Sequence, residues 1–136
     1  MEYIPAPDLQ MQMINIVKRL RLDHVDIARV SCIRSRGSQA RGVIARVHGV
    51  DKALQIGLNI KPQYVIEFLE LFEKCSEREK IETIIHELLH VPKNFGGGFR
   101  HHNYVNNKRV RELYKIYIKE ENKLNYDLFP LINCNT

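Results

Sequence analysis

The residues with the clearest chemical signature lie between positions 86 and 90, where the chain reads His-Glu-Leu-Leu-His. Side chains four residues apart on a helix are about 5–6 Å apart at Cβ, so both imidazoles can bind one Zn²⁺ at roughly 2.0–2.1 Å. Glu87 stands beside the first histidine, where a carboxylate can take a proton from the water that the metal activates and deliver it to a leaving amine. The spacing predicts a zinc-dependent hydrolase site with Glu87 as the general base.

A catalytic zinc site needs a third protein ligand and an open fourth position. Pro92 disfavours helix at the preceding residue and so ends the helix just after His90. The glycines at 96–98 then allow a tight return before His101 and His102. Spacing alone leaves both of these histidines open as the third ligand.

The stretch from 86 to 102, His-Glu-Leu-Leu-His-Val-Pro-Lys-Asn-Phe-Gly-Gly-Gly-Phe-Arg-His-His, resembles the phage and archaeal metallopeptidases, small zincins related in plan to SprT-like proteases. The resemblance extends upstream through Arg34-Ser-Arg-Gly-Ser38 and Ala45-Arg-Val-His-Gly49, and downstream towards Leu113 and Tyr114, so it covers most of the chain.

This resemblance implies a zinc peptidase in which His86 and His90 are ligands and Glu87 is catalytic. The family pattern places its third histidine two residues after an arginine, which implies His102 as that ligand, with His101 as the alternative. It also implies a three-layer core of helix, mixed sheet and active-site helix. We therefore expect one α+β, zincin-like domain over residues 1–136, in which a small mixed β-sheet packs against the active-site helix and flanking helices.

The helices that must position this site are predicted from capping residues and apolar periodicity. Ser76 and Glu79 form a capping box for a helix from Glu77 to His90, with His86, Glu87 and His90 on the side opposite its apolar stripe, where Glu87 is a surface residue. A first helix is capped by Asp8 and ends near Arg21; a last one begins near Val105, ends before Pro130 and braces the active-site helix.

The strands are predicted from β-branched composition and alternation. Val25–Arg34 and Gly42–Gly49 form a hairpin, and Leu54–Ile60 is a third strand. Tyr64–Phe68 is either a further strand or the first turn of a helix that Pro62 opens and that runs to Cys75. A peptide substrate lies extended along an edge strand, supplied by Tyr64–Glu67 or by Leu54–Ile60.

Composition sets the remaining expectations. The 136 residues carry a net charge of +5, three cysteines and no long apolar run, which favours a cytoplasmic protein that does not enter membranes. The alternative function is a nucleic-acid-associated zinc protein, either catalytically idle or a protease acting on DNA-bound proteins. Four arginines around the predicted hairpin are candidates for weak, non-specific nucleic-acid contact: Arg34, Arg36, Arg41 and Arg46. Three residues near the ligands are candidates for holding the oxyanion or substrate: Arg100, Tyr104 and Arg109.

Overall fold

The computed structural model describes residues 1–92 and 106–128, with side chains described up to residue 124. The elements are β1 (Glu2–Pro5), α1 (Pro7–Leu20), a 3₁₀ turn (Ile27–Arg29), β2 (Val30–Arg36), β3 (Ala45–Gly49), α2 (Lys52–Leu58), β4 (Tyr64–Phe68), α3 (Glu70–Glu73), α4 (Glu77–Leu89) and α5 (Asn107–Leu128). One four-stranded sheet has the order β1-β2-β4-β3. β2 runs parallel to β4, whereas the β1–β2 and β3–β4 pairs are antiparallel. The predicted α+β fold with a mixed sheet is confirmed.

Helix α1 begins two residues earlier than a cap at Asp8 predicts. Pro7 occupies its first turn, and Ala6 is the N-cap without a side-chain cap, so the prediction of Asp8 as the cap is wrong. Both oxygens of Asp8 instead accept hydrogen bonds from Arg34, at 2.7 and 2.6 Å. The predicted end is confirmed, because Arg21 closes the helix in the left-handed conformation at φ 53°.

The predicted hairpin between the second and third strands is wrong, because β4 lies between β2 and β3 in the sheet. The strand predicted at Val25–Arg34 is also shifted, since Asp26 caps the 3₁₀ turn and β2 runs from Val30 to Arg36. Small and glycine residues near position 37 are equally compatible with a tight hairpin and with a longer connection that crosses an inserted strand. Only the later strand β4, which pairs with both, distinguishes these alternatives.

The segment predicted as a strand at Leu54–Ile60 is a helix instead. Asp51 caps it by accepting a hydrogen bond from the backbone N–H of Leu54 at 2.8 Å, and Asn59 ends it in the left-handed conformation at φ 54°. Within α2 only Gln55 is buried. The alternating apolar residues are therefore not the inward face of a strand, and local capping decides the structure.

The ambiguous segment Tyr64–Phe68 is the strand β4, and a separate short helix, α3, follows it. β4 is bordered by strands on both sides, and α2 replaces the other predicted strand. Both predictions of the substrate-binding edge strand are therefore wrong. Within the described residues, β3 is the edge strand next to α4.

The helix predicted from Glu77 to His90 is confirmed as α4, which runs from Glu77 to Leu89, and both halves of the Ser76–Glu79 capping box are present. The last helix is confirmed as α5, and it packs against α4 and α1. None of the helices in the described ranges combines the length and apolar composition that a membrane span needs.

The core lies between one face of the sheet and helices α1 and α4. Cys32, Ile66 and Phe68 on the sheet join one buried cluster with residues of both helices, such as Met13 and Ile84. Because strand residues alternate between faces, Ser35 and Glu67 lie on the opposite face. The core therefore fixes α4 against one face of the sheet, in contact with the edge strand β3.

Candidate metal centre

The two histidines of α4 converge on one point. The Nε2 atoms of His86 and His90 are 3.2 Å apart, and the ring planes are inclined at 70°. Two nitrogens bound at about 2.05 Å to one tetrahedral ion lie about 3.3 Å apart, so the pair fits a shared metal without rearrangement. His86 belongs to the last turn of α4 and His90 is its C-cap, so the helix itself fixes their separation.

Two histidines do not complete a metal site. Within residues 1–92 and 106–128, no group of three or more His, Cys, Asp or Glu residues is placed to hold an ion. The predicted third ligands, His101 and His102, lie outside the described residues, as do Arg100 and Tyr104. The described residues therefore supply two of the ligands that a catalytic ion needs.

Glu87 lies beside this pair and is buried. Its exposed fraction is 7%, whereas the sequence predicted a surface residue, so that prediction is wrong. Packing of α4 against both β3 and α5 covers more of the helix than its apolar stripe alone. Burial raises the pKa of Glu87 to about 7, and its carboxyl group has no hydrogen-bond partner among the described residues. A carboxyl group whose pKa is raised by burial is typical of functional sites.

A cleft of about 420 Å³ opens over His86 and Glu87. Residues 42–45, which lead into the edge strand β3, form one wall, and α4 forms the other. Asn107 and Val110 at the start of α5 close one side. The candidate base and one candidate ligand therefore share a space large enough for a short stretch of peptide.

A family model described as "Putative phage metallopeptidase" matches residues 1–122. The chain belongs to this family. The match includes the converging histidines, the buried glutamate and both walls of the cleft. No curated protein and no solved structure matches the chain. Membership of the phage metallopeptidase family supports a metal-dependent peptidase.

The arginines named from the sequence lie in different surroundings. Arg109 is exposed in the first turn of α5 and lines a separate depression with Leu22 and Leu89, so the structure does not bring it to the cleft. Arg34 bridges Asp8 and Glu73, with its Nε 2.8 Å from the Glu73 carboxylate.

Arg36 and Arg41 are exposed, and Arg46 binds Glu67. Two of the four candidate nucleic-acid contacts, Arg34 and Arg46, are thus already neutralised by carboxylates. Nucleic-acid contact remains a prediction.

A buried carboxylate on the opposite face of the sheet holds the edge strand. Glu67 is fully buried in β4 and accepts hydrogen bonds from Ser35 at 2.6 Å and from the Arg46 Nε at 2.9 Å. The His48 Nε2 lies 2.7 Å from the same carboxylate. Burial alone would raise the pKa of Glu67, but these hydrogen bonds outweigh it and lower the pKa to about 2. Glu67 therefore ties β3 to β4 and β2 directly behind the cleft wall.

Sequence reasoning missed the residues of α4 that extend the cleft. Thr83 precedes Glu87 by four residues, and Glu82 and Glu79 precede His86 by four and seven. All three line the cleft. These intervals place them on the helix side that carries His86 and Glu87, so the helical period could have identified them.

Proposed function

We propose that this chain is a zinc-dependent metallopeptidase that hydrolyses peptide bonds. The observation that carries the proposal is a pair of imidazole nitrogens 3.2 Å apart, one of them from His86, which lines the same cleft as the buried Glu87. A pair of histidines suits zinc, and three histidines with an open position are typical of a catalytic site. His86, His90 and His102 hold the ion, with His101 as the alternative to His102.

Glu87 acts as the general base and then as the general acid. Zinc bound to the histidines would lower the pKa of a water molecule and polarise the peptide carbonyl. The Glu87 carboxylate removes the proton from the attacking water and donates it to the nitrogen of the leaving amine. The low exposure of Glu87 keeps bulk water from competing for that carboxylate.

The edge strand β3 supplies the binding site for the peptide main chain. The Ile44 carbonyl accepts a hydrogen bond from Leu69 N–H, and Val50 N–H donates one to the Gln63 carbonyl, so even-numbered residues of this segment face β4. Because alternate residues direct their backbone groups to opposite edges, Val43 and Ala45 direct theirs away from β4. Both residues line the cleft. An extended substrate that pairs with them crosses the cleft beside His86 and Glu87.

Metal content tests the zinc assignment. We expect about one zinc ion per chain in the purified protein, and we expect His86→Ala or His90→Ala to remove it at neutral pH. His48→Ala is the matched control, because His48 binds Glu67 on the opposite face of the sheet and should leave the zinc content unchanged. Elemental analysis after dialysis measures all three. Full zinc content in both His86→Ala and His90→Ala would overturn the metal centre.

The third ligand can be assigned by a comparison of neighbouring variants. We expect His102→Ala to lower zinc affinity far more than His101→Ala, because His102 is the histidine that follows Arg100 by two residues, as in the family pattern. Parallel zinc titrations with a competing chelator measure the two affinities. The reverse order would move the ligand to His101.

A further inference from the structure

The described wall of the cleft is acidic, although the whole chain carries a net charge of +5. Glu79, Glu82 and Glu87 line the cleft, and its described lining contains no lysine or arginine. The remaining lining residues from 42 to 45 are glycine, valine, isoleucine and alanine. The negative charge of the described cleft lining is opposite to the net positive charge of the chain, so the cleft favours a positively charged ligand.

Glu82 and Glu79 lie at distances from His86 that side chains of a bound peptide can span. With a rise of about 1.5 Å per helical residue, Glu82 and Glu79 are about 6 and 10 Å along α4 from His86. An extended peptide advances about 3.3 Å per residue, so these carboxylates reach side chains two or three residues from the scissile bond.

Both carboxylates are held in place and keep accepting capacity. The Glu82 Oε1 atom forms an ion pair with the Arg78 Nε at 2.7 Å, which offsets part of its charge, and the Arg78 guanidinium lies over the Tyr114 ring of α5 at 4.8 Å. The Glu79 Oε1 atom accepts a hydrogen bond from the Ser76 backbone at 3.3 Å in the capping box. Each carboxylate retains its second oxygen, so a cation can bind without breaking either contact.

A second, independent observation shows that the same cleft is built to receive a ligand. Glu87 is more than nine-tenths buried, lines the cleft and has no hydrogen-bond partner among the described residues. A carboxyl group in that position has no contact among the described residues that would give it a structural role, so it favours a ligand in the cleft. The acidic wall and this buried group belong to one cavity.

We propose that the cleft selects peptide segments with a lysine or arginine two or three residues from the scissile bond, held by Glu79 and Glu82. The apolar wall of Val43 and Ile44 contacts the aliphatic part of that side chain, because lysine and arginine can bury this part while the charged group binds the carboxylates. An acidic side chain at the same place is disfavoured by repulsion, which adds discrimination. This inference rests on the proposed peptidase function and specifies its substrate class.

Matched peptides that differ at one position test the selection. The position lies two residues from the cut and carries Lys, Gln or Glu, and cleavage is followed as kcat/KM at low and high salt. Partly exposed ion pairs are individually weak, so we expect roughly two- to fivefold from each glutamate and about tenfold between the Lys and Glu peptides. The preference should shrink at high salt because the charges are screened.

Variants assign the preference to the two glutamates. Glu79→Gln keeps the capping box, which accepts glutamine, and Glu82→Gln keeps an oxygen for Arg78, so both variants should fold. We expect the double variant to cut the Lys and Glu peptides within twofold of each other. Glu77→Gln is the control, because Glu77 lies on the same helix with its side chain 83% exposed and should leave the preference unchanged.

Peptide binding separates this inference from the peptidase function. Fluorescence anisotropy with the Glu87→Gln protein measures whether the Lys peptide binds more tightly than the Glu peptide without any cleavage. If the Lys peptide binds more tightly because of Glu79 and Glu82 but the wild type cleaves nothing, the proposed charge selection stands and the proposed peptidase function is wrong. Equal cutting and binding of both peptides, or a double variant that keeps the wild-type preference, would overturn the selection and leave the peptidase intact. A wild type that neither cuts nor binds any of the peptides would overturn both.

Discussion

Glu87→Gln is expected to lose nearly all peptide cleavage and keep its zinc. The substitution preserves the size of the side chain and removes the group that takes and returns the proton, a contribution typically worth a factor of about 10² to 10⁴ in rate. Because the Glu87 carboxyl group is buried without a partner among the described residues, its replacement by a neutral amide removes an unfavourable term from the folded state. The melting temperature should therefore be equal to or higher than that of the wild type, a trade-off typical of active sites.

Three measurements on one preparation check this expectation: cleavage of an unfolded protein substrate, zinc content and thermal unfolding. Glu112→Gln is the control, since Glu112 is exposed on α5, and it should retain full activity. Wild-type activity in Glu87→Gln would remove the general base from the mechanism. A marked fall in its melting temperature would instead indicate that Glu87 supports the fold.

The active-site helix is the part of the molecule that the sequence specifies best, because its signals are local. The capping box of Ser76 and Glu79 and the four-residue interval between the histidines both lie within a few turns of one helix. Neither signal depends on where any other element packs. The close approach of His86 and His90 could therefore be predicted without knowledge of the fold.

The sheet could not be predicted to the same extent, because its order depends on contacts between distant segments. The β2–β3 hairpin was the simplest interpretation of two neighbouring strands, and β4 displaces it by pairing with both. At Leu54–Ile60 the alternation favoured a strand, but the Asp51 cap produces a helix whose apolar residues remain exposed. The edge position of β3 could only be recognised once both errors were corrected.

The burial of Glu87 and the acidic wall were missed for a similar reason. A helical wheel shows which residues share a side of α4, and it does not show that β3 and α5 cover the side bearing Glu87. The sequence alone suggests that Glu79 is a first-turn residue and Glu82 a surface residue, whereas the structure shows that both line the cleft. The positions of His86 and His90 on one helix were therefore predictable, and the shape of their surroundings was not.

Glu67→Gln is expected to lower the free energy of unfolding by about 3 kcal/mol at pH 7, although it lies on the sheet face opposite the cleft. Glu67 is fully buried, and its folded pKa of about 2 is well below the ordinary 4.5. A lowered carboxyl pKa stabilises the folded state by about 1.4 kcal/mol per unit at pH values above the unfolded pKa. Glutamine keeps the shape and loses the charge that Arg46 and His48 surround.

The pH dependence of that difference has a fixed sign. Because the folded pKa is the lower one, the stability that Glu67 contributes is complete above about pH 4.5 and is lost as the pH falls towards 2. The gap between wild type and Glu67→Gln should therefore be constant near neutrality and should close over this interval. Asp8, whose pKa Arg34 also lowers to about 2, titrates in the same range in both proteins and cancels in the comparison.

Denaturant unfolding at a series of pH values measures this gap. Glu120→Gln, on the exposed side of α5, should stay within about 0.5 kcal/mol of the wild type at every pH. A gap that persists unchanged at pH 2 would mean that the loss comes from altered packing rather than from the ionised carboxylate.

Since Glu67 holds Arg46 and His48 on β3, directly behind the wall formed by residues 42–45, we also expect the variant to raise KM more than it lowers kcat. An equal fall in kcat with KM unchanged would show that the register of β3 does not govern peptide binding.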